Sequence, residues 1–134
     1  MTIHRWKKIG QIFNPQEVLD RPWLKEFAQA PATLIFEDRV RVYFSCRPSA
    51  GVDGQYTSYS AWVDLDRWDL TRILEIAQQP ILPLGDTGAF DEFGIYPVSV
   101  VREATRVTAC YAGWTRCQSV PFNTAIGLAH SSDG

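Results

Sequence analysis

The chain alternates between short runs rich in β-branched and aromatic residues and clusters of Gly, Pro, Asp and Ser. This pattern is typical of β-strands joined by turns. It predicts strands at residues 32–36, 39–45, 56–65, 97–101, 106–114 and 124–131, and a further strand within residues 70–85. One short helix is predicted where Asn14 caps, Pro15 takes the first helical position and Glu17 gives a capping-box spacing, before Pro22 ends it. The predicted fold class is therefore all-β.

The strand pattern also repeats along the chain. Pro31 begins "PATLIFEDRVRVYFS", and Pro97, 66 positions later, begins the similar "PVSVVREATRVTACYAG". This alignment places Val40, Val42 and Phe44 against Val107, Ala109 and Tyr111, and places Ala61 and Val63 against Ile126 and Leu128. Each unit consists of a hairpin, a long loop and a third strand, which predicts antiparallel four-stranded blades of a β-propeller. The alternative is a small sandwich whose hairpins resemble each other by chance.

The predicted organisation is a single partial propeller domain over residues 1–134. An N-terminal lead-in segment with the short helix covers residues 1–30, the first blade covers 31–85, and an incomplete second blade covers 86–134. Repeats that bury their faces on neighbours generally need three or more copies to be stable. We therefore expect either a piece of a longer propeller, about two blades of five, or a homo-oligomer.

Composition excludes several classes of function. The 134 residues carry 13 Lys and Arg against 15 Asp and Glu, and no basic stripe, so no nucleic-acid partner is expected. No apolar run approaches the roughly 20 residues of a membrane span, so no membrane partner is expected either. Three cysteines without CxxC spacing indicate reduced thiols and a cytoplasmic location, with Cys110 as a small core residue. His4 and His130 stand alone, so we predict no metal and no cofactor.

Four segments carry a resemblance to a known family: "GAFDEFGIYPVSVV", "AIGLAHSSDG", "WKKIGQIFNP" and "WLKEFAQAP". They are similar to the five-bladed β-propeller glycosidase superfamily, related to glycoside hydrolase families 43, 32 and 130. The resemblance covers the whole chain but only the first two of five blades. It implies a carbohydrate-active protein, a glycoside hydrolase or phosphorylase relative. Its site would lie on the propeller axis, where carboxylates begin the innermost strands of the first three blades.

This resemblance leaves Asp91 and Glu92 as the candidate catalytic residues. The first inner strand begins with Ala32 and Thr33 where many relatives have Asp, the second lacks a carboxylate, and the third blade with its general acid is absent. Neighbouring side chains of an extended backbone point to opposite sides, whereas glycoside hydrolysis needs two carboxyl groups across the bond. At most one of the two is therefore expected to face the axis. In the alternative, Asp91 caps a turn and Glu92 is solvated or bonded to an arginine.

The candidate substrate-binding residues are Arg47, Tyr96, Trp114 and Arg116. The two arginines follow their hairpins at equivalent places, and a forked guanidinium suits a sugar hydroxyl or carboxylate. The aromatic side chains would offer flat surfaces to a sugar ring, although strand aromatics are also common in cores. Three hypotheses remain: a carbohydrate-active enzyme relative, a non-catalytic carbohydrate-binding or self-assembling module, and a truncated chain with no role of its own.

Overall fold

The computed structural model describes residues 5–134, so His4 and the start of the lead-in segment lie outside the described residues. The described part of the chain is all-β, as predicted, with one three-residue 3₁₀ helix at Pro15–Glu17. The strands are β1 (Glu26–Ile35), β2 (Arg39–Arg47), β3 (Tyr59–Asp66), β4 (Ile73–Ile76), β5 (Gly94–Arg102), β6 (Val107–Arg116) and β7 (Phe122–Ser131).

The 3₁₀ helix begins where the sequence predicts. The Asn14 side chain accepts a hydrogen bond from the Gln16 amide (3.2 Å), and Pro15 occupies the first turn. Glu17 accepts from the side-chain amide of Asn14 (3.3 Å). The helix ends after a single turn, and the chain that follows places Val18 and Leu24 against the first sheet.

The first sheet is antiparallel, in the order β1-β2-β3-β4, and includes the predicted fourth strand. One of its faces carries Phe44, Cys46 and Val63, which form a buried cluster with Val18 and Leu24. The lead-in segment therefore covers this face of the first sheet.

The opposite face of the first sheet packs against the second sheet. The second sheet is antiparallel in the order β5-β6-β7, and its Val107 is buried against Leu34 and Tyr43. The sheets are also joined through the backbone, because the Ser58 amide donates to the Phe93 carbonyl (2.9 Å) and the Ile95 amide donates to the Ser58 carbonyl (3.1 Å). The two sheets therefore pack face to face as two layers.

Strands β1 and β5 are irregular where they approach each other. Strand β5 has a register shift after Pro97, which cannot donate to the ladder, so Val98 is left as an extra residue. Strand β1 begins six residues before the predicted Ala32 and contains two register shifts. Phe27 (φ 64°) and Ala30 (φ 52°) lie in the left-handed region, which is strained for residues with a Cβ. No local sequence pattern indicates this bent extension.

The observed register corrects the predicted alignment of the third strands. Ala61 pairs with Phe44, whereas the matching Tyr111 pairs with Gly127, so Ala61 corresponds to Gly127 and not to Ile126. The prediction was wrong by one residue, and a one-residue slip moves every side chain to the other face. Small residues of β7 therefore face the first sheet, where the Tyr111 ring lies directly over Gly127.

The larger residues of β7 lie on a face that no described residue covers. Ile126 and Leu128 are 73% and 61% exposed. Cys110 lies on this side because it pairs with Leu128. Val101 lies there too, because its partner Thr108 is two residues from Cys110 along β6. We call the surface formed by Val101, Cys110, Ile126 and Leu128 the open face. Cys110, predicted as a core residue, is only half-buried there.

Candidate functional site

Strands β2 and β6 end on the same side of the molecule, and their last residues are Arg47 and Arg116. A cavity of about 360 Å³ lies at these ends. We call it the arginine pocket, and it is lined by Arg47, Gly54, Gln55, Tyr56, Trp114, Arg116, Cys117 and Pro121. Because the strands are antiparallel, the pocket also lies where β1 and β5 begin: Glu26 pairs with Arg47 and Gly94 with Trp114.

Arg47 is held by hydrogen bonds from two sides. Its Nη2 donates to the Tyr96 hydroxyl (2.6 Å) and its Nε donates to Ser58 Oγ (3.0 Å). Its guanidinium also lies 5.0 Å from the Phe27 ring and 5.1 Å from the Tyr56 ring, within the range of cation–π attraction. Tyr96, a predicted substrate-binding residue, does not line the pocket but fixes the orientation of the Arg47 guanidinium.

Arg116 reaches the same pocket from the second sheet. Its Nη2 donates to the Tyr56 carbonyl (3.0 Å), and its guanidinium lies 4.0 Å from the centre of the Phe93 ring. Trp114 packs on the backbone of Gly94 so closely that a Cβ there would lie 1.7 Å from the indole nitrogen. Glycine is thus required at position 94 for the tryptophan to form this wall.

The charges of the pocket are unbalanced. Among residues 5–134, neither Arg47 nor Arg116 forms an ion pair with a carboxylate, whereas Asp64 alone pairs with both Arg39 (3.0 Å) and Arg41 (2.7 Å). A carboxylate near the pocket is Glu26. Its interaction with the Tyr56 side chain raises the pKa of Tyr56, and Arg47 acts in the opposite direction.

Asp91 is buried, with 8% of its surface exposed, just before β5. The Tyr111 hydroxyl donates to its Oδ2 (3.0 Å). A Cβ at Gly85 would lie 2.2 Å from Asp91 Oδ1, and one at Gly113 would lie 2.5 Å from Asp91 Cβ, so the aspartate is held between two glycines. Burial, followed by the hydrogen bond to Asp91, raises the pKa of Tyr111.

Glu92 points to a different partner. Its Oε2 accepts from the Gly88 amide (2.8 Å) and closes the turn that precedes β5. Neither Asp91 nor Glu92 lines the arginine pocket. The structure therefore brings the four predicted substrate-binding residues together and places the two predicted catalytic residues apart from them.

The residues of the site that were not predicted from the sequence include Phe27, Tyr56, Ser58 and Phe93. Phe27 reaches Arg47 only because its backbone takes a left-handed conformation. Ser58 meets Arg47 because it lies one position beyond the Cys46–Tyr59 pair of the β2–β3 ladder, whereas Tyr56 contacts Arg116 from the loop between these strands. No local sequence pattern reports contacts of this kind.

Comparison with known proteins gives relatives but no function. No family model matches the chain, and no solved structure matches it. Two proteins of Mycobacterium tuberculosis, Uncharacterized protein Rv1502 of strain H37Rv and Uncharacterized protein MT1551 of strain CDC 1551 / Oshkosh, are each 37% identical over 130 residues. The match takes in 96% of this chain and 41% of each relative, so the chain spans less than half the length of these relatives.

The only helix in residues 5–134 is the single 3₁₀ turn, and no helix there is long and apolar enough to cross a bilayer. All three cysteines are free thiols. Cys46 is buried, Cys110 is half-buried and Cys117 is exposed.

Proposed function

We propose that the chain is part of a carbohydrate-active β-propeller protein, a relative of glycoside hydrolases and phosphorylases of families 43, 32 and 130. Its two stacked antiparallel sheets support this proposal, because β1 and β5, the first strand of each sheet, lie against each other. Innermost strands of neighbouring blades meet in this way around a propeller axis. A cytoplasmic location stays a prediction from the cysteine content.

The arginine pocket is the observation that carries the proposal. It lies at the beginning of β1 and β5, where the resemblance implies an axial site. Arg47, Trp114 and Arg116 line it, and Tyr96 holds Arg47 in place. Forked donors beside a flat aromatic wall suit a molecule with both hydroxyl groups and a ring face. We propose that this pocket contacts a saccharide.

Asp91 is the preferred candidate for a catalytic carboxylate, with Glu92 second. Asp91 is fixed by Tyr111 and by the backbone on both sides, so its position is well defined. Glycosidic bond cleavage needs a second carboxyl group roughly 5–10 Å away, depending on the stereochemical course. In this proposal a further segment of a longer protein supplies that group.

A second candidate function is a carbohydrate-binding or self-assembling module without catalysis. The contacts of the two carboxylates favour it. Asp91 accepts a hydrogen bond from Tyr111, and Glu92 accepts one from the Gly88 amide, so each has a structural task. Neither faces the arginine pocket.

The test combines binding with turnover. A panel of saccharides is titrated by calorimetry and a panel of aryl glycosides is assayed for hydrolysis and phosphorolysis. We expect Trp114→Ala to weaken saccharide binding by at least about tenfold, which corresponds to 1.4 kcal/mol. Arg72→Gln changes an exposed arginine that pairs with Asp66 and serves as the matched control.

The outcomes separate the two candidate functions. Turnover that disappears in Asp91→Asn while saccharide binding stays would support the enzyme. Binding without turnover by this chain alone fits both candidates, because the enzyme proposal takes its second carboxyl group from a further segment. Binding without turnover by the chain joined to that segment would support the module. A chain that binds no saccharide of the panel would contradict the enzyme and the carbohydrate-binding module, and would leave self-assembly as the module's role.

A further inference from the structure

We infer that the ligand of the arginine pocket is acidic, a saccharide that carries a carboxylate or phosphate group, and that Arg47 and Arg116 neutralise it. This inference rests on the proposed function, because it names the class of saccharide for the same pocket.

The first argument is the charge balance. Two other half-buried arginines, Arg39 and Arg41, share the counter-charge of Asp64, which receives Arg41 at Nε (2.7 Å) and Nη2 (2.8 Å). Half-buried Arg67 has no ion-pair partner within residues 5–134, but unlike Arg47 and Arg116 it does not share a cavity with a second arginine. Arg47 and Arg116 are also half-buried, yet within residues 5–134 they have no carboxylate partner. Removing a guanidinium from water without a counter-charge is unfavourable, and a bound anion relieves this cost.

Glu26 does not cancel this charge. It lies opposite Arg47 in the β1–β2 ladder, but within residues 5–134 its side chain forms no ion pair with Arg47 or Arg116. One carboxylate against two guanidinium groups still leaves the pocket with a net positive charge.

The second argument is the geometry of the donors. A guanidinium has five N–H groups. Ser58 and Tyr96 use the Nε and one Nη2 donor of Arg47, and Tyr56 uses one Nη2 donor of Arg116. Within the described residues, Nη1 of Arg47 and both Nε and Nη1 of Arg116 have no hydrogen-bond partner. These bonds fix the planes of both groups while leaving donors for an incoming oxyanion, which lowers the entropy lost on binding.

Tyr56 brings the two charges together. Arg47 lies beside its ring and Arg116 bonds its carbonyl, so both guanidinium groups border one cavity. The volume of about 360 Å³ is within the range of small-ligand pockets. Trp114 forms an aromatic wall beside the charges, which favours a ring-bearing anion over a free inorganic ion.

Calorimetry of the whole chain at low ionic strength tests the inference with five probes: glucose, glucuronate, glucose 6-phosphate, acetate and inorganic phosphate. We expect at least one acidic sugar to bind about tenfold or more tightly than glucose and than the matching free anion. The two acidic sugars distinguish a carboxylate from a phosphate ligand. The preference should weaken as salt is added, because exposed charge interactions are screened.

Two variants assign the effect to the arginines. Arg116→Gln should abolish the preference for the acidic sugar, and Arg116→Lys should retain part of it, because lysine keeps the charge but loses the fork. Arg72→Gln should change nothing. Circular dichroism and thermal melting establish that each variant is folded before its affinity is compared.

The failures are distinguishable. Equal affinity for glucose and both acidic sugars would overturn the inference and leave the saccharide proposal standing. Acetate or phosphate binding as tightly as the acidic sugars would overturn the saccharide proposal, because the sugar ring would then contribute nothing. No binding by any probe would overturn both.

Discussion

The two sheets follow one plan but differ in what covers them. Leu34 of β1 is 6% exposed, whereas Val101, its counterpart in β5, is 55% exposed. Tyr43 of β2 is likewise buried, and its counterpart Cys110 is only half-buried. The first sheet is sandwiched between the lead-in segment and the second sheet, whereas the open face of the second sheet has no described neighbour.

This difference shows that strand sequence alone does not decide burial. Leu128 is apolar and sits at the position matching Trp62, yet it is 61% exposed because nothing among the described residues packs on it. A contiguous apolar patch of this kind marks an interaction surface in a soluble protein. The first sheet has an equivalent face, and that face is buried because the second sheet covers it.

The largest expected effect lies in the covered sheet. Phe44 is 2% exposed, and Phe44→Ala should lower the free energy of unfolding by about 3–5 kcal/mol, because it opens a cavity in the core. Ile126→Ala on the open face should change it by less than about 0.5 kcal/mol. Urea denaturation followed by tryptophan fluorescence, at low protein concentration, measures both. Equal losses would show that the two faces are covered alike.

The next effect is on association. We predict that the chain by itself forms a homo-oligomer in which a second copy covers the open face, the place that the next blade takes in the proposed propeller. The double variant Ile126→Lys, Leu128→Lys should raise the dissociation constant by at least about a hundredfold, since each aliphatic side chain contributes roughly 1.5–3 kcal/mol when fully buried. Light scattering across a concentration series gives the mass.

The matched control for association is Leu19→Lys combined with Val52→Lys. Both residues are exposed but lie away from the open face. This variant should associate like the original chain. An original chain that is monomeric at every concentration would contradict the prediction.

The smallest effect is on thiol reactivity. Burial raises the pKa of Cys46 to about 12, so at pH 8 it carries almost no reactive thiolate. Exposed Cys117 should be alkylated first, half-buried Cys110 more slowly, and Cys46 only on unfolding. Mass spectrometry of the alkylated peptides gives the rates. Alkylation of Cys46 as fast as Cys117 in the folded protein would show that the first sheet is not closed.

The same raised pKa has a consequence for stability. Between the ordinary thiol pKa and about 12, the unfolded chain loses the Cys46 proton while the folded chain keeps it. Stability should therefore fall as the pH rises through this window, and Cys46→Ala should reduce the slope.

Most strands could be predicted because their signals, the alternation of apolar and polar residues and the turn residues at each end, lie within a few residues of each other in the sequence. The short fourth strand of the first sheet was found in the same way. The register of β7 was not, because Ala125, Gly127 and Ala129 face the first sheet while the larger Ile126 and Leu128 point outward. Residue size suggested the reverse, and only the Tyr111 ring over Gly127 explains the choice.

The site was partly predictable for a similar reason. Arg47 and Arg116 occupy matching strand ends, and a repeat makes such matches visible. The roles of Phe27 and Tyr56 depend on a left-handed backbone and on loop closure, which no spacing encodes. The separation of Asp91 from Glu92 was predicted from an extended backbone, whereas both residues lie in the turn that precedes β5, and Tyr111 as partner of Asp91 required the fold.

The arginine pocket takes its walls from both sheets. Arg47 ends β2 of the first sheet and Tyr56 lies in the loop that follows it, whereas Trp114 and Arg116 belong to the second sheet. A molecule that binds there contacts both sheets and stabilises their packing, because it must leave the pocket before the two sheets can separate. The melting temperature then reports occupancy directly: a ligand at a hundred times its dissociation constant adds about 2.7 kcal/mol to the stability of the folded chain.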